Sequence, residues 1–515
     1  MVVLVCIAYT TTTMRQHDKS SEFHSTVGRN ARWSLVQTVV SALTVFFLYK
    51  YLYTHLGPEQ LGLWAVVLAS VSVGRLAELG FSTTVLRYVS MHLASGDRTR
   101  AARILETGLI SIGGPFALVL LLLYPVANVA MRYVVPAGNL AAAREILPYA
   151  LGSLWFGVLG AIAQSALDGC GRMDVKSRIL IAGNLLYVPV AILMAQSFGI
   201  VGLAATQLLQ SVLVAILVWI ATRRELPALK WAPVNWDKSC FREIIGYAAG
   251  LQIGNLLLML FEPATKIFLS RYFGLNEVAH FEMANQVVSR VRALITSALQ
   301  AYLPVLSSAA VDIVAARKVV AEATIFTVGI GLPIMAGLII SCPIISIIWI
   351  GHVQADFIVY GWVLGIGWLI ATLGMPTYYY CVGAGRVRTI VISTTVTAVL
   401  NALLGLAAAM LSNGYWVALS MMIALALGNL VTTRRALADL EVNFAQTIRS
   451  RSARNVVKTV AMIGVVLVFN IGISLATSIE NYVYANFTIN ALLLLMIIYL
   501  SAAGQIMVTK FQSSQ

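Results

Sequence analysis

The sequence predicts an all-α polytopic membrane protein with about fourteen transmembrane helices, two six-helix repeats around a central cavity and a further helix pair at the C-terminal end. Three observations carry this expectation. Of the 515 residues 59% are hydrophobic and only 11% charged, with a mean hydropathy of +0.85, whereas soluble proteins carry about 25% charge. Apolar runs of about 20 residues recur along the chain, each long enough to cross a bilayer. Landmark residues of the first half return in the second at displacements of 217, 214 and 211 residues.

Taken in order, Met1 to Asn30 reads as a cytosolic tail. Its first apolar run is too short to span a membrane, and it lacks the basic start and small-residue cleavage site of a signal peptide. Spans of the first bundle, residues 31–222, begin near Trp33, Leu61, Ile104, Ile146, Ile179 and Val201. A cytosolic linker, 223–241, carries Trp231 and Trp236, side chains suited to a membrane interface. The second bundle, 242–435, has spans beginning near Ile244, Val278, Val319, Phe357, Thr389 and Tyr415. A second linker, 436–454, precedes a final pair of spans in 455–510 that begin near Val456 and Tyr482, and 511–515 forms a short cytosolic tail. Leu437, Leu440 and Phe444 are spaced to share one face of a surface helix across that linker.

Charge fixes the expected orientation. Of the 35 Lys and Arg residues, 26 fall on segments assigned to the cytoplasm, 4 outside (Lys50, Arg132, Arg144 and Arg271) and 5 within helices. This positive-inside imbalance places both termini in the cytoplasm and accounts for the net charge of +14 without nucleic acid. Cys6, Cys170, Cys240, Cys342 and Cys381 show no metal-ligand or disulfide spacing. No P-loop, Gly-x-Ser-x-Gly elbow or His-Glu-x-x-His is present, so neither an enzyme nor a cofactor is expected.

The internal repeat aligns Gly274 with Gly57, Phe281 with Trp64 and Arg292 with Arg75. Further along, Gly383 to Arg386 repeats Gly169 to Arg172, and a Thr-Arg-Arg motif recurs at the end of each copy. An even number of spans separates the copies, so they share one topology. Arg75 and Arg292 fall deep inside spans, where a guanidinium costs at least about 2.5 kcal/mol and needs a cavity or a partner. Arg290, two residues from Arg292, points in another direction on the same helix. Arg75 and Glu78 are spaced to pair along a helix, as are Glu262 and Lys266. Each pair reads either as a structural lock or as part of a gating or ion-coupling device, and Glu282, like His280, reads as interfacial or gating. Guanidinium forks match phosphate oxygens, so Arg75, Arg292 and Arg290 are the candidate substrate-binding residues for an anion. Gly246 to Gly254, Gly361 and Gly365 provide close helix approaches, and Pro263, Pro333 and Pro376 provide bends.

The stretch Tyr51 to Ser90, the Ala94 to Arg103 turn after it, and Phe281 to Ser307 resemble bacterial oligosaccharide flippases of the O-antigen and exopolysaccharide type. These belong to the multidrug, oligosaccharidyl-lipid and polysaccharide exporter superfamily, and the resemblance covers about Arg32 to Arg435. It implies two six-helix bundles working by alternating access in the bacterial inner membrane. The implied cargo is an oligosaccharide repeat unit on undecaprenyl diphosphate, and the implied partners are the lipid bilayer and the polymerase and chain-length machinery of polysaccharide assembly. The final helix pair is similar to that of the fourteen-helix lipid II flippases, which leaves the pathway open. A drug or cation extruder of the same superfamily would need an accessible carboxylate, for which Glu78, Glu262 and Asp168 are the candidates. A nontransporting scaffold for polysaccharide assembly is the reading of another class.

Overall fold

The computed structural model describes residues 21–72, 81–245, 261–300, 313–411 and 413–442; they are helical or connecting, with no strand among them. The chain divides into two compact units. One comprises Met1–Leu52 and Val67–Ile253, the other Tyr53–Val66 and Gly254–Gln515.

In the first unit α1 (Ser21–His55) exposes Val36, Val39, Leu43 and Phe47 at helical spacing and buries Leu48 and Leu52. Such an apolar outer stripe belongs against lipid tails. After α2 (Pro58–Ser72), which belongs to the second unit up to Val66, and α3 (Phe81–Ala94), the carboxylate of Asp97 accepts the Arg100 N–H at 2.9 Å and caps α4 (Arg98–Val134). Extended Val135 and then Pro136 end α4, and a single 3-10 turn, Ala137–Asn139, leads into α5 (Leu140–Gly169). Next, α6 (Met173–Glu225) runs for 53 residues but is broken at Gly199, whose φ of 57° and ψ of −140° are non-helical. It is therefore two spans folded back on each other. A Cβ on Gly202 would lie 2.2 Å from the carbonyl oxygen of Met194, so the arms touch backbone to backbone there.

The linker after α6 is built onto its own unit. The Lys230 N–H donates to buried Glu106 at 3.4 Å, Trp236 Nε1 to Ser111 Oγ at 3.0 Å, and the Asp237 N–H to Thr107 Oγ1 at 3.2 Å. Asp237 in turn caps the helix over 238–245, accepting from the Ser239 hydroxyl and from the Ser239 and Cys240 N–H groups. These bonds, the Ser239 hydroxyl's first, hold its carboxyl below the usual carboxylate range. Trp231 is exposed, as expected of an interfacial ring, and stacks under the Arg223 guanidinium at 3.8 Å.

In the second unit α7 (Phe261–Phe273) and α8 (Leu275–Gln300) meet at Gly274. Helix α9 (Ile313–Phe326) passes through a π turn, Thr327–Gly331, into α10 (Leu332–Ile350). Then come α11 (Ala355–Leu373), α12 (Met375–Gly383), α13 (Val387–Leu411) and α14 (Gly414–Asp439). Pro333 and Pro376 each stand in the first turn of a helix after such a break, where a missing N–H is harmless. Gly361 and Gly365 of α11 admit α10: a Cβ would meet Cys342 Sγ at 2.7 Å and Ile339 Cγ1 at 2.6 Å. Helix α14 runs to Asp439, and Leu437 and Leu440 are buried rather than displayed on a surface face.

The repeat is visible in the backbone. Gly57 and Gly274 both have positive φ, 86° and 92°, and each is followed by a helix. Gly171 and Gly385 share another such turn, with φ of 72° and 67°. There the Arg172 N–H reaches back to the Leu167 carbonyl at 2.9 Å, and the Arg386 N–H to that of Cys381 at 2.8 Å, the bonding of a Schellman cap. The arginine of each turn then pairs with the acid ending the sixth helix of its copy, Arg172 with Glu225 and Arg386 with Asp439.

Seven helices among the described residues are long and apolar enough to cross a membrane, and one of them, α6, is broken at Gly199 into two crossings. Eleven of the first twelve predicted spans coincide with helix in the described residues, and the span beginning near Ile244 falls mostly on 246–260, outside them. The final pair beginning near Val456 and Tyr482, together with Gly246 to Gly254, Arg75 and Glu78, lies outside them.

Candidate functional site: a buried lysine and a stacked arginine

Helix α7 carries Glu262 and Lys266 one turn apart, and α8 brings Glu282 against them. The Lys266 ammonium lies 2.6 Å from Glu262 Oε1 and 2.6 Å from Glu282 Oε2. Its side chain is 7% exposed and that of Glu282 4%, while that of Glu262 is 43% exposed. Gln286, one turn along α8, donates to the other oxygen of Glu282 at 2.7 Å. Beside the trio, Asn401 of α13 donates to the Phe261 carbonyl at 2.8 Å, tying α13 to α7. Removing the buried ammonium and the Glu282 carboxylate from water costs several kcal/mol per ion, and this close pairing offsets part of that cost. The expected Glu262 and Lys266 pair is thus present, and Glu282 is its third member.

Ten residues further along α8, Arg292 lies over the ring of Trp368 from α11, 3.8 Å from its centroid. Its Nε is buried and has no hydrogen-bond partner among the described residues, and the same is true of Trp368 Nε1. The cation is therefore held by a π face, and among the described residues its Nε donor is uncommitted. Thr296 donates to the Arg292 carbonyl at 2.9 Å. Arg290 is half-buried two positions earlier, about 200° around the helix from Arg292.

A further network joins the starts of α8, α11 and α14, and sequence reasoning missed most of it. Tyr360 donates to Glu277 at 2.5 Å, and Tyr415 donates to Asp356. His280 Nδ1 lies 3.4 Å from Asp356, and its Nε2 is 3.1 Å from the Tyr53 hydroxyl. The available signal was that Glu277, Asp356 and Tyr415 all stand in first helical turns, where a polar group in an apolar chain needs a reason. In the first unit a cavity of about 270 Å³ is lined by Ser82, Gln164 and Ser165 and by the ion pair of Lys176 with Asp168, 2.6 Å apart. No group of three or more metal-ligating side chains occurs among the described residues. Cys240, Cys342 and Cys381 are buried as small apolar fillers.

The sequence profile of the polysaccharide biosynthesis protein family matches residues 55–357, more than half of the chain. A search of curated proteins finds no match. Among solved structures, the lipid II flippase MurJ in an inward closed conformation aligns with a TM-score of 0.67 at 16% identity, covering 93% of this chain and 99% of that one. An inward-facing multidrug resistance MATE family transporter of the MOP superfamily aligns at 0.65 and 15% identity, covering 79% and 94%. MATE in a straight conformation aligns at 0.57 and 16%, covering 80% and 96%. With its apolar helices, its duplicated plan and this shared architecture, the chain is a multi-pass membrane protein of the polysaccharide biosynthesis protein family, carrying the fold of the MOP-superfamily transporters.

Proposed function

We propose that this protein flips undecaprenyl-diphosphate-linked oligosaccharide repeat units across the bacterial inner membrane by alternating access, for cell-surface polysaccharide of the O-antigen or exopolysaccharide kind. The observation that carries the reading is Arg292, a guanidinium inside an apolar helix that is stacked on Trp368 and, among the described residues, bound to no carboxylate. A cation positioned this way retains donors for phosphate oxygens, and its planar fork suits a diphosphate. Arg290 supports it on the same helix, and Arg75, its repeat equivalent, has the same role in the first copy. Both termini lie in the cytoplasm in this reading. The Lys266 trio acts in gating or ion coupling rather than in holding cargo.

Membership of a polysaccharide biosynthesis family supports this cargo. The likeness to the lipid II flippase MurJ over 93% of the chain favours a second reading, in which the cargo is lipid II; both cargoes present a polyprenyl diphosphate, and the sugar distinguishes them. A cationic drug is the poorer match, because two of its three candidate carboxylates, Glu262 and Asp168, are already paired with lysines, the third, Glu78, lying outside the described residues.

Purified protein in liposomes, offered a fluorescent polyprenyl-diphosphate sugar and separately a cationic dye, tests the proposal. Flipping of the lipid-linked sugar without added ATP is the expected result. Export of the dye alone, or transport of neither, overturns it, the latter in favour of a scaffold.

A further inference from the structure

At the end of the first unit where α5 turns into α6, three guanidiniums converge on one carboxylate. Asp174, in the first turn of α6, is 2% exposed and lies 3.5 Å from Arg29 Nε, 3.3 Å from Arg172 Nε and 3.2 Å from Arg178 Nη2. The arginines themselves remain accessible, at 47%, 36% and 52%. Arg172 is further engaged by Glu225, whereas Arg178 lies over the Trp33 ring, 4.7 Å from its centroid. Asn30 ties α1 into the cluster, accepting the Asp174 N–H at 3.2 Å and donating to the Gly171 carbonyl at 3.0 Å.

Charges here do not cancel. Arg29, Arg172, Lys176 and Arg178 engage Asp168, Asp174 and Glu225. Lys176 neutralises Asp168 and Arg172 neutralises Glu225, which leaves Arg29 and Arg178 over a single buried carboxylate. Asp174 engages Arg29 through Nε and Arg178 through one Nη, so the remaining N–H groups of both forks are uncommitted among the described residues. A positive-inside signal requires only charge near a helix end, without a buried carboxylate to gather and orient it.

The seam below is stitched by polar contacts, Ser177 to Gln37 at 3.1 Å and Asn184 to Ser41 at 2.9 Å. On either side of it the surface is apolar and exposed, with Val36, Val39 and Leu43 on α1 and Leu185 and Leu186 on α6. The order along the two helices is thus cationic fork, indole, aliphatic track. The second copy provides an internal control. Its Arg386 and Asp439 repeat the pair of Arg172 and Glu225, but the positions of Asp174 and Arg178, displaced by 214, are Arg388 and Ile392.

We infer that this seam is a binding site for an acidic phospholipid of the bilayer. Arg29 and Arg178 hold the phosphodiester, Trp33 lies at the glycerol level, and the acyl chains run along the aliphatic track. The convergence is independent of the cargo assigned to the protein.

The full-length protein is reconstituted in phosphatidylethanolamine vesicles containing an equal mole fraction of either brominated phosphatidylglycerol or brominated phosphatidylethanolamine, and tryptophan quenching is read. The Trp33→Phe protein isolates the signal of this one indole by difference. Expected is stronger quenching of Trp33 by the glycerol lipid, an enrichment that falls roughly fivefold for each arginine removed in Arg29→Gln and Arg178→Gln and is unchanged in Arg386→Gln. Each single variant leaves two arginines on Asp174, and a retained unfolding temperature shows that the site rather than the fold was lost. Equal quenching by the two lipids, or an excess that survives both substitutions together, overturns the site.

Discussion

The two copies share their hinges and differ in where they bury charge. Each has a positive-φ glycine before its second helix, at Gly57 or Gly274, and each closes with an arginine from the fourth turn on an acid at the end of the sixth helix. At the positions of Glu262, Lys266 and Glu282, however, the first copy has Val45, Tyr49 and Ala65, displaced by 217 residues. Tyr49 and Ala65 are buried, so the same backbone sites are compatible with an uncharged interior. Replacing buried ion clusters by apolar side chains is often neutral or stabilising, so stability alone does not explain the trio of the second copy. The first copy instead gathers its guanidiniums at the end of the bundle, around Asp174.

Making the second copy resemble the first tests this contrast most strongly at Lys266. Lys266→Met leaves Glu282 buried beside a thioether and should destabilise the protein by about 3–5 kcal/mol in detergent unfolding. Adding Glu282→Ala should restore most of that stability while leaving lipid-linked sugar flipping impaired. Recovery of both stability and flipping would reduce the trio to a structural lock.

Arg292→Ala should come next, with flipping reduced roughly tenfold or more, since each tenfold is only about 1.4 kcal/mol. Its effect on unfolding should be smaller, about 0.5–2 kcal/mol for the lost stacking on Trp368, and Arg292→Lys should recover part of the rate. Normal flipping by the alanine variant in liposomes would remove Arg292 from the binding machinery.

Gly62 sharpens the comparison from the other side. A Cβ there would lie 1.8 Å from the Leu275 carbonyl oxygen, although its repeat counterpart, Ala279, already carries one. Gly62→Ala should cost about 1–3 kcal/mol by overpacking, visible as a lowered unfolding temperature. The smallest effects belong to the shared hinge. Arg386→Ala, which breaks one half-exposed pair, should cost about 0.2–1 kcal/mol, and Arg172→Ala should cost more because it also strips a partner from buried Asp174. Equal losses in the same unfolding assay would mean that the first copy derives nothing from its extra contacts.

Much of the fold was legible because hydropathy has a length scale, that of the bilayer, and because charge and glycine landmarks recur at a nearly constant displacement. The pair of Glu262 and Lys266 was legible for a local reason: positions four apart share a helix face. Glu282 required knowing that α8 packs on α7, and Trp368 that α11 reaches Arg292, neither of which periodicity encodes. Asp168 and Lys176 are eight apart across a tight turn, outside helical spacing. The polar network at the starts of α8, α11 and α14 was hidden for the same reason, since its partners come from three separate stretches of chain. The proposed match of Arg75 to Arg292 rests on sequence displacement, with Arg75 outside the described residues.

One backbone angle decides on which side of the bilayer the second half of the chain lies. Were Gly199 helical, α6 would be a rod of ~80 Å, more than twice the hydrocarbon thickness of about 30 Å. Its φ of 57° divides the rod into two crossings of opposite direction. A helical residue there would make one crossing where there are two and invert the parity of every span that follows. Loops rich in arginine would then face the wrong compartment, and the insertion machinery would meet a conflict between geometry and charge. This glycine therefore sets the direction in which every later span crosses.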